Sequence, residues 1–229
     1  MTGSGSAPQV VPFGDQALLA ILGDRVDESL NARVHAVATA VREERAATHI
    51  PWGEPVPGYA SLLVPYDVRR LSFVDAQRRL EALVGEALQG ELPPDAADLP
   101  VAEILVRYGG EDGPDLADVA RTAGLSERRV VKLHASTTYR VFLLGFVPGF
   151  AYLGTLPEAL ALPRREAPRP RVPAGSVAIA GRQTAVYPTA TPGGWHLIGR
   201  TDVRMWDVTA ESPSLLRPGQ LVRFLPQAG

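Results

Sequence analysis

Cysteine is absent, and with it go disulfides, thiol nucleophiles and cysteine-ligated zinc. Lysine is almost absent: Lys132 is the only one, and it lies between Val131 and Leu133 rather than in a glycine-rich loop, which excludes a Walker-type phosphate loop. A large charge of either sign is missing too. A net charge of -2 gives no global field for nucleic acid or an anionic membrane, so any anion site must come from a local cluster. The most apolar stretch, Val141 to Gly154, is broken by Pro148 and three glycines and is too short to span a bilayer. Met1 to Pro8 has neither the basic start nor the apolar centre of a secretory signal; a flexible N-terminus and a cytoplasmic location are the default expectation. HExxH and GxSxG do not occur, and no two of the four histidines have a metal-ligand spacing, so metalloprotease and α/β-hydrolase chemistry are not expected.

What remains is an ordinary globular chain. Its 229 residues, 45% hydrophobic and 21% charged, are enough for two cores and argue against disorder. Leu18 to Leu22 reads as a strand. Asp27 can cap a helix whose apolar positions Leu30, Val34, Val37 and Val41 share a face. Tyr59 to Val64 reads as a second strand. Ser72, with Asp75 three residues on, starts another helix striped by Phe73, Ala76, Leu80, Leu83 and Ala87. With a short strand beginning at His49 and Ile50, the order is β-α-β-β-α. Glu91 to Pro100 has the proline-and-acid composition of a linker, which divides the chain into an α/β domain over residues 9–94 and a second domain over 95–229. Glu103 to Tyr108 is a strand that either closes the first domain or opens the second. Beyond it, short strands separated by Gly and Pro predict an all-β barrel or sandwich: Tyr139 to Phe146, Ser176 to Ala180, Thr184 to Tyr187, Trp195 to Gly199, Val203 to Asp207 and Leu221 to Phe224.

Four segments could carry chemistry. Asp115 to His134 has the form of a helix-turn-helix, but its second helix offers only Arg128, Arg129 and Lys132, and a helical pair packed on the barrel is the preferred reading over DNA binding. Pro163 to Pro173 holds Arg164, Arg165, Arg169 and Arg171 on a stiff, extended backbone; it suits a phosphate or carboxylate ligand, or equally a solvated loop. Gly145 to Gly154 and Thr191 to Trp195 mix glycine with aromatic rings, as a pocket wall does and as barrel cores and tight turns do more often. His134 is a possible general acid or base, whereas His196 sits inside an expected strand beside Trp195; a lone histidine is usually a packed or capping residue.

Taken in order, these segments resemble a known family. FGDQALLA (Phe13 to Ala20), VPGYASLLVPYD (Val56 to Asp67), YGGEDGPDLADVA (Tyr108 to Ala120), HASTTYRVFLLGFVPGFAYLG, LPRREAPRPRVPAGSVAIAGRQTAVYPTATPGGWHLIGRT and PGQLVRF follow the order and spacing of the family of 5-oxoprolinase B subunits, also called the KipI or allophanate hydrolase subunit 1 family. The resemblance implies an α+β chain with a small ferredoxin-like α/β N-terminal domain and a cyclophilin-like β-barrel. It also implies A and C subunits of 5-oxoprolinase as partners, and ATP-driven opening of the 5-oxoproline lactam to glutamate, with ATP and its magnesium bound by the complex; the charge balance, not the resemblance, gives no role for nucleic acid or membrane. A lactam is a poor electrophile, so phosphorylation of its carbonyl oxygen followed by water attack is a sensible route, and the developing charge needs fixed donors. Expected in those roles are Arg164, Arg169 and Arg200, Gln183 as neutral donor and His134 as proton carrier. Phe146, Gly149, Tyr152, Tyr187 and Trp195 would shape the pocket, and Gly175, Ser176, Gly193 and Gly194 would let the ligand approach the backbone. Two other functions fit the same resemblance: a KipI-like inhibitor that binds a sensor histidine kinase, and a subunit acting on a urea-derived amide, for which the chain lacks the Ser-rich amidase pattern.

Overall fold

In ALLAI and SLLVP every second residue is apolar and buried, which gives two strands one covered face. The computed structural model describes residues 7–90 and 100–227, and the chain divides into two units, Met1–Asp95 and Ala96–Gly229. In the first, β1 (Gln9–Pro12), β2 (Ala17–Ile21), β3 (Val56–Pro57) and β4 (Ser61–Pro65) form an antiparallel sheet in the order β1-β2-β4-β3. Helices α1 (Glu28–Thr48) and α2 (Phe73–Gln89) cover one face of it. Leu18, Ala20, Leu62 and Val64 meet Val34, Val37, Val41, Ala76 and Leu80 in one core. Both expected caps are present: Asp27 accepts from the Leu30 amide and Ser72 from the Asp75 amide.

The layering is that of the expected ferredoxin-like unit, reached in the order ββαββα. Two details differ from expectation. His49 and Ile50 do not begin a strand, because α1 runs to Thr48 and His49 closes it in the left-handed region, φ 54°, with its amide on the Arg45 carbonyl. The strand comes later, at β3. The added strand, β1, is edged with Gln9 and Pro12 and has too little alternation to read. Most of the expected linker, residues 91–99, lies outside the described residues, as do residues 1–6 of the expected flexible N-terminus.

The second unit opens with β5 (Ala102–Tyr108), which joins the barrel and not the first sheet. With β6 (Thr138–Leu144), β7 (Ala151–Gly154), β9 (Ser176–Ala180), β10 (Gln183–Val186), β12 (His196–Arg200) and β13 (Leu221–Pro226), it closes a seven-stranded barrel in the order β10-β7-β6-β13-β5-β12-β9. Between them, β8 (Arg169–Val172) and β11 (Thr191–Gly193) form a separate two-stranded ribbon. Helix α3 (Leu116–Thr122) lies on β12 and α4 (Glu127–Ser136) on β13. Their Leu116, Val119 and Val130 share a core with the barrel residues Ile104, Val141, Ile179 and Phe224. The helix-turn-helix pattern is thus spent on packing. Val203 to Asp207 is not a strand. Asp207 accepts from the Thr209 amide (3.0 Å) and hydroxyl (2.7 Å), and this turn leaves only an isolated bridge between Trp206 and Ser214.

Candidate functional site

The pleat of β9 and β10 sends alternate side chains to opposite faces. Val177, Ile179 and Val186 point into the barrel, while Ala178, Ala180, Ala185 and Tyr187 belong to a second core on the outside, with Phe150, Val172, Trp195 and Leu197.

His134 lies on the inner face, fully buried. Thr184 Oγ1 donates to the Ala178 carbonyl (3.0 Å), so it accepts from His134 Nε2–H (2.9 Å), and His134 Nδ1 accepts from the Tyr108 hydroxyl (2.7 Å). Its ring also packs on Phe224 and Tyr139. Burial lowers its pKa to about 3, so it stays neutral, and with both nitrogens committed it serves the core rather than carrying protons to a ligand.

The outer face brings together Tyr152, Tyr187 and Trp195 of the expected pocket residues. Phe150 is the hub: its ring centroid lies 5.4 Å from Phe146, 4.9 Å from Tyr152, 5.3 Å from Tyr187 and 5.8 Å from Trp195, all edge-to-face. Tyr152 and Trp195 close the ring at 6.0 Å. Gly193 is required here, since a Cβ on it would collide with the Tyr187 hydroxyl. Burial raises the pKa of the Tyr152 phenol, and the positive charge of Arg164 works against it. Burial first, and then Tyr152, raise that of Tyr187, against Arg164 and the Trp195 amide. The charge of Arg164 is thus felt at both phenols, and its exposed guanidinium has no hydrogen bond or ion pair among the described residues. Gln183 alternates with the inward Thr184, which places it outside, and its Nε2 is buried without a partner among the described residues.

Arg169 does not join Arg164. Its fork grips Asp115, Nη1 to Oδ2 at 2.9 Å and Nη2 to Oδ1 at 2.7 Å, while Arg165 Nη1 reaches Oδ1 at 3.0 Å and the Leu197 amide reaches Oδ2 at 2.7 Å. Asp115 is buried, so the guanidinium expected to hold a ligand anion instead neutralises an internal one. Arg165 also donates its amide to the Gly194 carbonyl (2.8 Å).

The other residues fall into two places. Phe146, exposed and with φ 65°, and Gly149 line a shallow pocket of about 350 Å³ with Trp206. Gly175, Ser176 and Arg200 meet beyond Tyr187, whose amide donates to the Ser176 carbonyl (2.9 Å) and whose carbonyl accepts from the Gly175 amide (2.7 Å). Gly175, at φ 80°, cannot carry a Cβ because the Thr201 carbonyl occupies its place. Asp115, the tie from His196 to the Pro163 carbonyl (2.9 Å) and the hub role of Phe150 are not legible in the sequence.

A two-unit α+β chain, with an aromatic and arginine face on the outside of a closed barrel, is the class that fold and site define. The family model for the carboxyltransferase domain, subdomains C and D, matches residues 8–216. The chain belongs to that family. It is 38% identical over 227 residues to the B subunit of 5-oxoprolinase from Bacillus subtilis (strain 168), covering 95% of this chain and 92% of the relative. To the B subunit of 5-oxoprolinase from Escherichia coli O157:H7 it is 51% identical over 174 residues, covering 76% and 78%. Among crystal structures it matches that of TTHA0988 with a TM-score of 0.78 at 42% identity, over 93% of this chain. That match takes in 40% of the other chain, so this chain spans less than half of that protein's length.

Proposed function

We propose that this chain is the B subunit of an ATP-dependent 5-oxoprolinase, a cytoplasmic complex with A and C subunits that opens 5-oxo-L-proline to L-glutamate. Identities of 37 to 51% to proteins named as that subunit support the assignment. At the residue level one observation carries it: a guanidinium without a partner among the described residues puts its charge on two phenols of an alanine-floored aromatic wall.

The ligand that suits this face is small, flat and anionic at one end, as 5-oxoproline is. Its ring can lie against the aromatic wall, and Arg164 can take its carboxylate by a two-point fork or offset charge on the lactam oxygen. Gln183 Nε2, already stripped of water, is the neutral donor for the carbonyl, and Arg200 is a second cation beyond the Tyr187 backbone. Among the described residues no cluster of acids and histidines could hold a metal ion, and the sole lysine is exposed on α4. ATP and its magnesium are assigned to the complex. The work left to the chain is to bind, orient and dehydrate the lactam.

The test is to co-purify the chain with its A and C partners and measure ATP-dependent glutamate release from 5-oxoproline. Turnover is expected from the assembly and none from the chain alone. An assembled complex without turnover, or steady turnover by the isolated chain, would overturn this reading.

A further inference from the structure

We propose that His196 and Asp115 form a clamp that positions Arg164 for substrate, an inference that rests on the outer face being the lactam site. The Arg164 side chain has no hold among the described residues, and both its neighbours are held. On one side the Pro163 carbonyl accepts from His196 Nε2 at 2.9 Å. On the other, Arg165 gives its amide to the Gly194 carbonyl at 2.8 Å and its Nη1 to Asp115 at 3.0 Å. Asp115 is in turn bolted to β12, giving its amide to the Leu197 carbonyl (2.9 Å) and taking the Leu197 amide on Oδ2 (2.7 Å). Both arms of the clamp therefore end on adjacent residues, His196 and Leu197, of the strand that follows Trp195.

Fold stability alone does not account for this arrangement. Arg165 Nε and His196 Nδ1 are buried with no partner among the described residues, and each such group works against folding. A buried carboxylate with two guanidinium groups is, in general, no more stabilising than apolar side chains of the same volume. What such a cluster supplies is location. Proline at 163, 168 and 170 stiffens the arm, the clamp fixes it at two points, and the exposed Arg164 side chain, without a partner among the described residues, leaves the backbone between them, its charge felt at Tyr152 and Tyr187.

The test compares assembled complexes carrying His196→Ala, His196→Gln, Arg164→Ala and the Arg164→Ala/His196→Ala double variant. His196→Ala should lower kcat/KM between roughly tenfold and a hundredfold, as a misplaced group does. His196→Gln, whose amide keeps a donor at similar reach, should recover most of that loss. Adding His196→Ala to Arg164→Ala should cost nothing further, because the clamp acts through Arg164. In the full chain, trypsin should cut after Arg164 and Arg165 faster in His196→Ala and in Asp115→Asn than in the parent. Unchanged turnover in His196→Ala, or a loss that adds to that of Arg164→Ala, overturns the clamp alone. Full turnover by Arg164→Ala overturns the lactam-site reading and the clamp with it.

Discussion

Strands β9 and β10 show one face to the barrel interior and the other to the proline-rich arm, and the polar groups on the two faces are treated differently. Inside, His134, Thr184 and Tyr108 spend their hydrogen-bonding capacity on one another and on a backbone carbonyl. Outside, Arg164 and Gln183 Nε2 are left with capacity to spend. The arm repeats the contrast within five positions: Arg169 is committed to Asp115, and Arg164 to nothing among the described residues. Groups that are fully paired hold the fold, and groups held in place but unpaired are available to a ligand.

The largest effect that separates them is on stability. Asp115→Ala leaves two guanidinium groups side by side and the Leu197 amide unmet, which should cost about 3–5 kcal/mol in the urea unfolding of the barrel unit. Arg169→Ala should cost less, since Arg165 remains on the carboxylate. Losses below about 1 kcal/mol in Asp115→Ala would erase the distinction between the paired and unpaired arginines.

The inner face should reveal itself through pH. His134 is neutral in the folded protein, with its pKa lowered to about 3 by burial, whereas in the unfolded chain it takes a proton near pH 6.5. Between those values the unfolded state binds more protons, so stability falls as pH drops from about 6.5 towards 3. The slope attributable to this residue approaches about 1.4 kcal/mol per pH unit. Urea unfolding of the parent and of His134→Gln across that window should show the slope in the parent and its loss in the variant. Parallel curves would mean that His134 is not held neutral inside the barrel.

Arg164→Ala should do the reverse of Asp115→Ala. Loss of a charge-assisted hydrogen bond to the substrate, worth about 1.5–3 kcal/mol, should lower turnover of the complex roughly tenfold to a hundredfold. Unfolding should stay within about 0.5 kcal/mol of the parent, as for an exposed side chain without partners among the described residues. Arg164→Lys should recover only part of the rate, because an ammonium keeps the charge without the planar fork.

Much of this is legible in the sequence, and the rest is hidden for physical reasons. Caps at Asp27 and Ser72 and the alternating strands are readable because their signals are local. The aromatic segments read as a wall, but Phe150 does not read as its centre, since which ring sits in the middle depends on three strands meeting. Asp115 escapes notice because Arg165, Arg169 and Leu197 lie 50, 54 and 82 residues away. His134 does carry a signal of its place in the core. It stands four residues after Val130, on the apolar stripe of α4, and the two are the buried residues of that helix. Arg169 misleads for a related reason: composition shows how many arginines an arm holds, not which carboxylate elsewhere has claimed one.

The smallest effect tests that last point within one helical pair. Ser126 caps α4, its hydroxyl accepting from the Arg129 amide at 3.3 Å, whereas Asp115 occupies the same position before α3 and makes no cap bond, its side chain being turned to the arginines. Ser126→Ala should therefore cost about 1 kcal/mol, the ordinary value of a lost cap. Asp115→Ser supplies α3 with a capping hydroxyl but removes the charge that Arg165 and Arg169 surround. If Asp115 belongs to the arm, the new cap can return no more than about 1 kcal/mol of what Asp115→Ala loses, and both variants should remain several kcal/mol below the parent. If Asp115→Ser unfolds like the parent, Asp115 is a helix-start residue whose arginine contacts contribute little. Urea midpoints for Ser126→Ala, Asp115→Ala and Asp115→Ser, measured side by side, decide which side of the contrast this carboxylate is on.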